Sequence, residues 1–330
     1  MSNEIKMPPV VREDDVRFLN EQAMGYGGSR RADNVLSTGV GYFFKRELEF
    51  IYQRTLLAKV APTNAFRLFS IDSSVPEGAT SYTQRLMEPT GVATLISNYA
   101  DDLPRVNVTR KEETRAIKML GDSYSYSVAD IMAASMSNQP LDQDLGFAAR
   151  EAIERKHNEL CWFGDQQAGL WGVLRHPYIP RFAFTNPISS ASTPDQIIDE
   201  LNDMINGVNS LSKTTASPNC LVLPPDEYAY IHSTARSATS DTTIAAYLIA
   251  NNPFLEMIEQ AWECDSDQNA GQKLALAYRK DPMNAKYVAP IVFRQLPVER
   301  RNLEFVVNNI ACSGGFYTPR PLEMVVGELA

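Results

Sequence analysis

Cys161 and His157 are the two residues in this sequence whose types and spacing come closest to nucleophilic catalysis. They lie four residues apart in a stretch with helical periodicity, which places both side chains on one helix face. A reactive cysteine needs an open, electropositive setting that lowers the pKa of its thiol. Cys161 instead stands between Leu160 and Trp162, so we interpret it as a buried structural thiol and predict no catalytic residue.

Two pairs of adjacent carboxylates, Asp101-Asp102 and Glu112-Glu113, are the next candidates for acid–base chemistry. Adjacent residues on a β-strand point to opposite faces of the sheet, so neither pair forms a ready-made catalytic dyad. We therefore expect these charges to be solvated or to lie at an interface.

Metal and cofactor sites are not expected. None of the three histidines has a second histidine four residues away or a nearby cysteine pair, as a zinc site would require. The four cysteines are far apart and show no CxxC spacing, which favours reduced thiols over a disulfide framework. The sequence also lacks the GxGxxG and GxxxxGKS phosphate loops and the GxSxG nucleophile elbow.

Composition is that of a globular chain, with 330 residues of which 44% are apolar and 22% charged. This length is enough for one large core or for two domains. No apolar run approaches the length of a membrane span, and the N-terminus shows no apolar stretch of a secretory signal. The net charge of −9 argues against a protein that grips nucleic acid, which would normally be basic, and suits one that lines a container for it.

The element that must organise these residues is a long helix at 142–164, about 33 Å in length. Asp142 is the expected N-cap, and Gly164 is the expected C-cap because glycine tolerates the left-handed conformation. The helical spacing defines one apolar face, made of Leu145, Ala148, Ala149, Ala152, Ile153, Leu160 and Phe163.

Residues 66–126 instead show period-two patterns and turn residues, and so predict extended β-structure. Strands are expected at 66–69, 80–86 and 92–96, with a turn at 76–78, a break at 89–91 and a long, charged segment at 106–126. No helix-length apolar pattern covers this region, so a long hairpin here needs a partner surface. A β-meander within one domain is the alternative.

The other elements are predicted from the same two patterns, the helical spacing and the period-two alternation of apolar residues. Residues 1–41 show little periodicity and predict an extended arm. Helices are expected at 41–60, 128–137, 195–211, 225–231 and 244–250, the third with Thr193 as cap and Pro194 in its first turn. Strands are expected at 220–223, 273–278 and 303–307, and their alternation with helices suggests a compact α/β unit.

Several short motifs follow one another in a characteristic order. Phe163-Gly164-Asp165 comes directly after the long helix, and Leu296-Pro297 precedes the final strands. Glu88-Pro89-Thr90-Gly91 and Asp102-Leu103-Pro104 stand in the hairpin region. With this order over roughly residues 43–326, the chain resembles tailed-bacteriophage major capsid proteins with the Hong Kong 97 fold, and the related encapsulin shells.

The resemblance implies an α+β fold of the Hong Kong 97 type. Its parts are an N-terminal arm, an extended hairpin called the E-loop, a peripheral (P) domain built on a long spine helix, and an axial (A) domain. The corresponding ranges are 1–41 for the arm, 42–64 for an N-terminal helix, 65–127 for the E-loop and a P-domain strand, 128–185 for the P domain, 186–285 for the A domain and 286–330 for the closing C-terminal strands.

The function that the resemblance implies is structural: self-assembly into an icosahedral phage head that encloses double-stranded DNA, without catalysis, metal or cofactor. The implied partners are further copies in pentamers and hexamers, DNA held without sequence specificity, and scaffold, portal or cement proteins, with no membrane. The implied location is the virion, after assembly in the host bacterial cytoplasm.

Two alternatives stay open. An encapsulin-type compartment with an enzyme cargo has the same fold, although the arm of about 40 residues before the first helix favours a phage head. An α/β enzyme with an unrecognised site is the alternative from another class.

The candidate subunit-interface residues are those of the region that the resemblance identifies as the E-loop: Arg85, Glu88, Thr90, Gly91, Asp101, Asp102 and Arg105. By hypothesis, the two aspartates and the two arginines form ion pairs between subunits. No lysine lies between Lys59 and Lys111, so a covalent cross-link from a lysine at the loop tip is not expected.

Overall fold

Helices and strands follow one another throughout the part of the chain that the structure describes. The computed structural model describes residues 61–95, 104–137, 141–237, 239 and 241–329, with the backbone alone at 137 and 141–143. The expected arm, the expected helix at 41–60, and both Asp101 and Asp102 lie outside the described residues.

The described residues form α-helices and strands with the following bounds. The helices are α1 (Ala65–Leu68), α2 (Val128–Ser137), α3 (Leu141–Trp162), α4 (Pro194–Leu211), α5 (Pro225–Ser233) and α6 (Ile244–Asn251). The strands are β1 (Ser70–Asp72), β2 (Ser81–Thr90), β3 (Asn107–Ala116), β4 (Lys118–Ser127), β5 (Gly164–Asp165), β6 (Leu170–Trp171), β7 (Arg181–Ala183), β8 (Cys220–Leu223), β9 (Met257–Gln260), β10 (Leu274–Tyr278), β11 (Lys286–Val288), β12 (Ile291–Gln295), β13 (Glu299–Arg301), β14 (Glu304–Ser313), β15 (Gly315–Tyr317) and β16 (Met324–Glu328).

A five-stranded sheet in the order β7-β16-β10-β8-β9 separates two apolar cores. The predicted strand at 220–223 is confirmed as β8, and every one of its residues is buried, as its all-apolar sequence predicts. Cys220 and Val222 pack into one core with the end of α3, whereas Leu221 and Leu223 pack into the other with α4, α5 and α6.

A second sheet is built on the long strand β14. It pairs along its whole length with β4, from Glu304↔Ser127 to Ser313↔Lys118. Its other edge pairs with β12 and β13. A short third sheet joins β1, β11 and β15, and the pair β2–β3 forms a separate hairpin.

The predicted long helix is confirmed as α3, which has 22 residues. Its second half is buried in the subunit through Ile153, Leu160 and Trp162, whereas Phe147 in the first half is 54% exposed. The predicted apolar face is therefore only partly buried within the subunit: Ala149, Ile153 and Leu160 are buried, Leu145 and Phe163 are half-buried, and Ala148 and Ala152 are exposed.

The two predicted ends of α3 have different outcomes. Gly164 takes the expected left-handed conformation with φ +70°, and a Cβ there would meet the backbone nitrogen of Gly172 at 2.3 Å. Both facts require glycine, so the C-cap prediction is confirmed. The N-cap prediction is wrong, because α3 begins at Leu141 and Asp142 lies inside its first turn.

The helix predicted at 195–211 is confirmed as α4, with its expected cap. Thr193 Oγ1 accepts a hydrogen bond from the Gln196 backbone N–H, and the Gln196 side chain accepts one from the Thr193 backbone N–H at 2.9 Å. This reciprocal arrangement is a capping box, and Pro194 follows in the first turn. The helices expected at 128–137, 225–231 and 244–250 are also present, as α2, α5 and α6.

The strands predicted at 66–69 and over the described residues 92–95 are absent. Residues 66–69 belong mainly to α1 and not to a strand, because the Ala65 N–H donates to Asn158 Oδ1 at 2.9 Å and Leu68 packs in the core. A segment of only four residues is too short for its apolar spacing to separate helix from strand. The expected break at 89–91 begins only at Gly91, because β2 continues through Thr90, and residues 91–95 do not form the expected strand. Pro89 is compatible with β2 because this strand has an unpaired edge within the hairpin.

Candidate assembly surface

The hairpin β2–β3 projects two faces, set by its register from Ser81↔Ala116 to Thr90↔Asn107. Directly opposed residues on antiparallel strands share a face. The inner face is defined here by Tyr82, Gln84, Leu86, Glu88, Thr90, Asn107, Thr109, Lys111, Glu113 and Arg115. The outer face consists of the alternate residues, which include Arg85, Met87, Val108 and Glu112.

The root of the hairpin is anchored in the body of the subunit by Tyr82, Arg115 and Ile117, all of which are buried. The Tyr82 ring packs edge-on against Tyr317 with ring centroids 5.9 Å apart, and burial raises the pKa of its hydroxyl. Ile117 packs with Tyr82 in a small apolar cluster. These contacts fix the base of the hairpin and leave its far part outside the core.

Arg115 makes the closest contact at this root. Its guanidinium carbon lies 3.3 Å from the centre of the Trp171 ring, and Nη2 donates to Glu113 Oε1 at 2.5 Å. Arginine stacks well on aromatic rings, and the attraction grows when water is excluded. Sequence analysis missed this contact, because nothing in the local pattern around Arg115 points to a tryptophan on β6.

Beyond its root, the hairpin exposes large apolar side chains. Met87 is 61% exposed, Val108 46% and Val106 73%. A two-stranded hairpin of this kind is marginally stable in water unless a further surface covers it. The described residues therefore leave an apolar surface on the hairpin that is available to a partner.

Arg85, Glu88 and Thr90 lie along β2, and all three are exposed. Arg85 Nε donates to Glu112 Oε1 at 2.8 Å, so this arginine already has a carboxylate partner within its own subunit. Thr90 Oγ1 donates to the Asn107 backbone oxygen at 3.2 Å and closes the end of the described ladder.

Gly91 and Arg105 lie just beyond that end of the ladder. A Cβ on Gly91 would meet Val106 Cγ2 at 2.9 Å, and Arg105 is exposed. Asp101 and Asp102 lie outside the described residues, so their ion pairs with Arg85 and Arg105 stay a prediction.

A groove of about 690 Å³ lies between the hairpin and the rim of the body. On the hairpin it is lined by residues that include Leu86 and Lys111 of the inner face. On the body it is lined by residues that include His176, Tyr178 and Leu322. The groove thus has one wall from the hairpin and another from three separate segments of the body, at 176–178, 212–215 and 317–323.

His176 lines the groove and is only 5% exposed. Its Nδ1 accepts a hydrogen bond from the Tyr178 backbone N–H at 3.3 Å, so the proton of the neutral ring sits on Nε2. Burial, reinforced by the charge of Arg115, lowers the pKa of His176 to about 4, and the ring is therefore neutral at pH 7. Nε2 has no hydrogen-bond partner in the described part of the chain, and leaving a buried donor unpaired costs about 1–3 kcal/mol.

The cysteine and histidine that opened the sequence analysis are structural. His157 Nε2 donates to the Val292 backbone oxygen at 3.0 Å, and Nδ1 lies 2.8 Å from the Tyr287 hydroxyl. The Cys161 thiol is fully buried, and burial raises its pKa far above the usual range. The predicted buried thiol is confirmed. Among the described residues, no group of three or more His, Cys, Asp or Glu side chains is placed to hold a metal ion.

Comparison with known proteins gives one family and a set of similar folds. A family model described as "Major capsid protein" matches residues 91–326. The capsid of Myoviridae phage XM1 superposes with a TM-score of 0.77 at 15% identity, over 88% of this chain and 100% of that one. The capsid of a native GTA particle gives a TM-score of 0.63 at 13% identity, over 91% and 100% of the two chains. A chain of Gordonia phage Cozz gives 0.59 at 10% identity, over 92% and 98%. No curated protein matches the chain.

Proposed function

Because the chain belongs to the major capsid protein family, we propose that its copies close into an icosahedral phage head around double-stranded DNA. The expected family and the expected mixed α+β capsid fold are confirmed. A phage major capsid protein is a structural protein of the virion, in which many copies of one chain form the shell.

The hairpin is the observation that supports interlocking of the copies. Its strands have ten residues each, its buried contacts are concentrated at the root, and it exposes large apolar side chains beyond that root. Covering such side chains contributes about 25 cal/mol for each Å² of apolar area removed from water. Neighbouring copies in a shell supply that cover many times over.

The net charge of −9 supports a shell that confines DNA without gripping it. Proteins that hold DNA tightly neutralise its phosphates with lysine and arginine, which an acidic chain does poorly. We infer that contact with packaged DNA is weak and independent of base sequence. Among the described helices, none is long and apolar enough to cross a membrane.

The finer partners are part of the proposal. Copies arranged heterologously around symmetry axes close into rings, and we infer pentamers and hexamers. Scaffold, portal and cement proteins are the further partners expected for such a shell. Assembly in the host bacterial cytoplasm precedes packaging.

The interface residues proposed for this assembly are Arg85, Glu88, Thr90, Gly91, Asp101, Asp102 and Arg105. Since Arg85 is paired with Glu112 in its own subunit, Arg105 is the arginine of this set that is more available to a neighbour's carboxylate.

Reversing the charge of Asp102 with Asp102→Arg is expected to lower the yield of particles. Asp267→Arg, a reversal at an exposed acid away from the hairpin, is the matched control, and equal yields from the two variants would count against the ion-pair hypothesis.

An encapsulin-type compartment is the alternative shell. It has less support than a phage head, because the matching family model is that of major capsid proteins. An α/β enzyme is the alternative from another class, and the buried, high-pKa Cys161 thiol offers it no nucleophile.

Electron microscopy of the purified protein tests the proposed function directly. Closed shells of uniform diameter are expected, with size-exclusion chromatography placing the protein in a megadalton peak. A preparation that stays at the 36.8 kDa mass of the single chain in the presence of its scaffold, or under crowding conditions, would contradict the proposal. Particles that retain a native enzyme cargo and no DNA after purification from cells would favour the encapsulin alternative.

A further inference from the structure

We propose that the loop at 73–79, called the latch loop below, opens in the free subunit, uncovers Cys312 and releases the root of the hairpin. An ion pair between Glu77 of this loop and Arg294 of β12 holds it closed. The inference goes beyond the proposed shell function, because it concerns a motion within one subunit and is tested without assembly.

The two ends of the latch loop are fixed, one to the body and one to the hairpin. At its start, the Ser74 backbone N–H and hydroxyl donate to Asp72 Oδ1 at 3.0 and 2.5 Å. Just after its end, the Thr80 backbone oxygen accepts a hydrogen bond from the Ile117 N–H at 2.8 Å. A motion of the latch loop is therefore passed directly to the root of the hairpin.

The underside of the latch loop covers the small apolar cluster at this root. Val75 and Ala79 are half-buried and pack against the cluster, which includes Tyr82 and Cys312. Cys312 is 3% exposed, and burial raises the pKa of its thiol. Since two small side chains bury little apolar area, the loop depends on a further contact to stay closed.

Arg294 supplies that contact from β12. Its Nη1 donates to Glu77 Oε2 at 2.7 Å, and its Nη2 donates to Glu77 Oε1, so the pair is bidentate. The register of β12 against β14 shifts between Ile291 and Arg294, and such an irregularity re-aims a side chain. The hydrogen bonds from Arg294 lower the pKa of Glu77, so the carboxylate is charged at neutral pH.

The same ion pair is open to water. The side chains of Arg294 and Glu77 are 47% and 53% exposed, and an exposed pair stabilises a structure only slightly. A loop that is held in this way opens far more often than the whole subunit unfolds. The latch loop is therefore closed in most molecules and open in a minor population.

Iodoacetamide labelling of the free subunit measures this opening, because the latch loop covers Cys312 in the closed state. The other three cysteines, Cys161, Cys220 and Cys264, are fully buried in a different core and serve as internal controls. Mass spectrometry of the four peptides gives each rate. Cys312 is expected to label at least about tenfold faster than the other three. Equal rates for all four cysteines would show that global unfolding exposes them, and would overturn the inference.

Charge variants test whether the ion pair holds the loop closed. Glu77→Gln and Arg294→Gln are each expected to speed the labelling of Cys312 about fivefold. Arg301→Gln is the matched control, because it breaks another exposed pair, that of Arg301 with Glu299, and it is expected to label at the wild-type rate. Equal rates in Arg294→Gln and Arg301→Gln overturn the inference.

The two charge variants also separate opening from a direct effect on the thiol. Burial has the largest effect on the pKa of Cys312, Glu77 raises this pKa further, and Arg294 lowers it. Because the thiolate is the reactive form, an effect on the thiol alone would speed labelling in Glu77→Gln and slow it in Arg294→Gln. Faster labelling in both variants supports the opening of the loop, and changes of opposite sign overturn it.

Amide hydrogen exchange tests whether the open loop releases the hairpin. Exchange in peptides that cover β2 of the free Arg294→Gln subunit is expected to quicken about fivefold over the wild type, and to stay unchanged in Arg301→Gln. Faster labelling of Cys312 with unchanged exchange in β2 overturns the release of the root. Since every measurement uses the free full-length subunit, these outcomes leave the proposed shell function untouched, and a failure to form particles leaves this inference untouched.

Discussion

Asp72 and Lys286 form an ion pair that is largely hidden from water. Lys286 Nζ lies 2.7 Å from Asp72 Oδ2, and the two side chains are 17% and 18% exposed. Burial raises the pKa of Asp72, but hydrogen bonds from Lys286 and Ser74 outweigh it and bring the pKa down to about 2. A carboxyl whose pKa is lower in the folded than in the unfolded chain stabilises the fold above its unfolded pKa. This stabilisation is therefore complete above about pH 5 and is lost as the pH falls towards 2.

Replacing Asp72 with asparagine tests this pH dependence. Asp72→Asn is expected to lower the free energy of unfolding by about 2 kcal/mol at pH 7, and by clearly less at pH 2.5. Urea unfolding of the subunit at the two pH values measures both. Glu299→Gln is the control, because its pair with Arg301 is 55% and 63% exposed and a change within about 0.5 kcal/mol is expected. An equal loss for Asp72→Asn at both pH values would contradict the assignment.

Glu263 is a fully buried carboxyl that joins three segments of the chain. Oε1 accepts from Asn158 Nδ2 of α3 at 2.7 Å, and Oε2 accepts from Asn64 Nδ2 at 3.2 Å. Burial raises the pKa of Glu263, although these hydrogen bonds act against the rise. Since the folded chain then holds a proton at pH values where the unfolded chain has lost it, stability falls as the pH rises from about 4.5 through the raised pKa.

Two substitutions separate the charge of Glu263 from its hydrogen bonds. Glu263→Gln keeps an acceptor for Asn158 but cannot ionise. The part of the fall in stability between pH 5 and pH 8 that comes from Glu263 is therefore expected to disappear in this variant. Glu263→Ala leaves the two amide donors unpaired, so a loss of about 1–3 kcal/mol is expected across that range. Guanidinium unfolding at both pH values gives the measurement, and a pH dependence of Glu263→Gln identical to that of the wild type would refute the raised pKa.

At the scale of elements, the sequence predicts structure where the determinants are local. Thr193 and Pro194 mark the start of α4 within a few residues, and the all-apolar run of β8 predicts its burial on both faces. The helix α1 could not be predicted, because its start depends on Asn158, a residue of α3 that is distant in sequence. The contact at the root of the hairpin could not be predicted either, because Arg115 lies on β3 and its aromatic partner Trp171 lies on β6. A contact between two segments that are distant in sequence leaves no periodic pattern in the sequence of either segment.

Arg115 is expected to control how firmly the hairpin is held. Arg115→Met keeps much of the side-chain volume but removes the charge that lies over Trp171 and pairs with Glu113. Amide hydrogen exchange in β2 and β3 of the free subunit is expected to quicken about tenfold, which corresponds to about 1.4 kcal/mol. Arg85→Met is the matched control, because Arg85 lies on the same hairpin but is 73% exposed and its surface ion pair contributes little. Equal acceleration in the two variants would show that the Arg115 contact does not hold the root.

At the scale of the whole molecule, the described residues combine well-packed cores with surfaces that a single copy leaves open. The five-stranded sheet is covered on both sides, whereas the hairpin, the groove beneath it and the first half of α3 expose Met87, Leu322 and Phe147. Closing such surfaces against neighbours yields a small free energy at each contact, which repetition around a shell multiplies. We therefore expect stability of the assembled shell to come from burial between copies.

The same reasoning predicts a shell without covalent cross-links between subunits. An isopeptide bond needs a deprotonated lysine amine held close to a side-chain amide or carboxyl, and residues 60–110 contain no lysine. Lys111 and Lys118 follow this gap, but both are exposed on the described strands, whereas a nucleophilic lysine needs a site from which water is excluded. Asn309 on β14 is only 1% exposed, and its Nδ2 donates to Asp122 Oδ1 at 2.9 Å, so its amide is shielded from an external amine.

Mature particles boiled in detergent are expected to run as one band near the 36.8 kDa chain mass. A ladder of larger bands that survives reductant would contradict this expectation, and its loss in Lys111→Arg but not in Lys118→Arg would identify the lysine responsible.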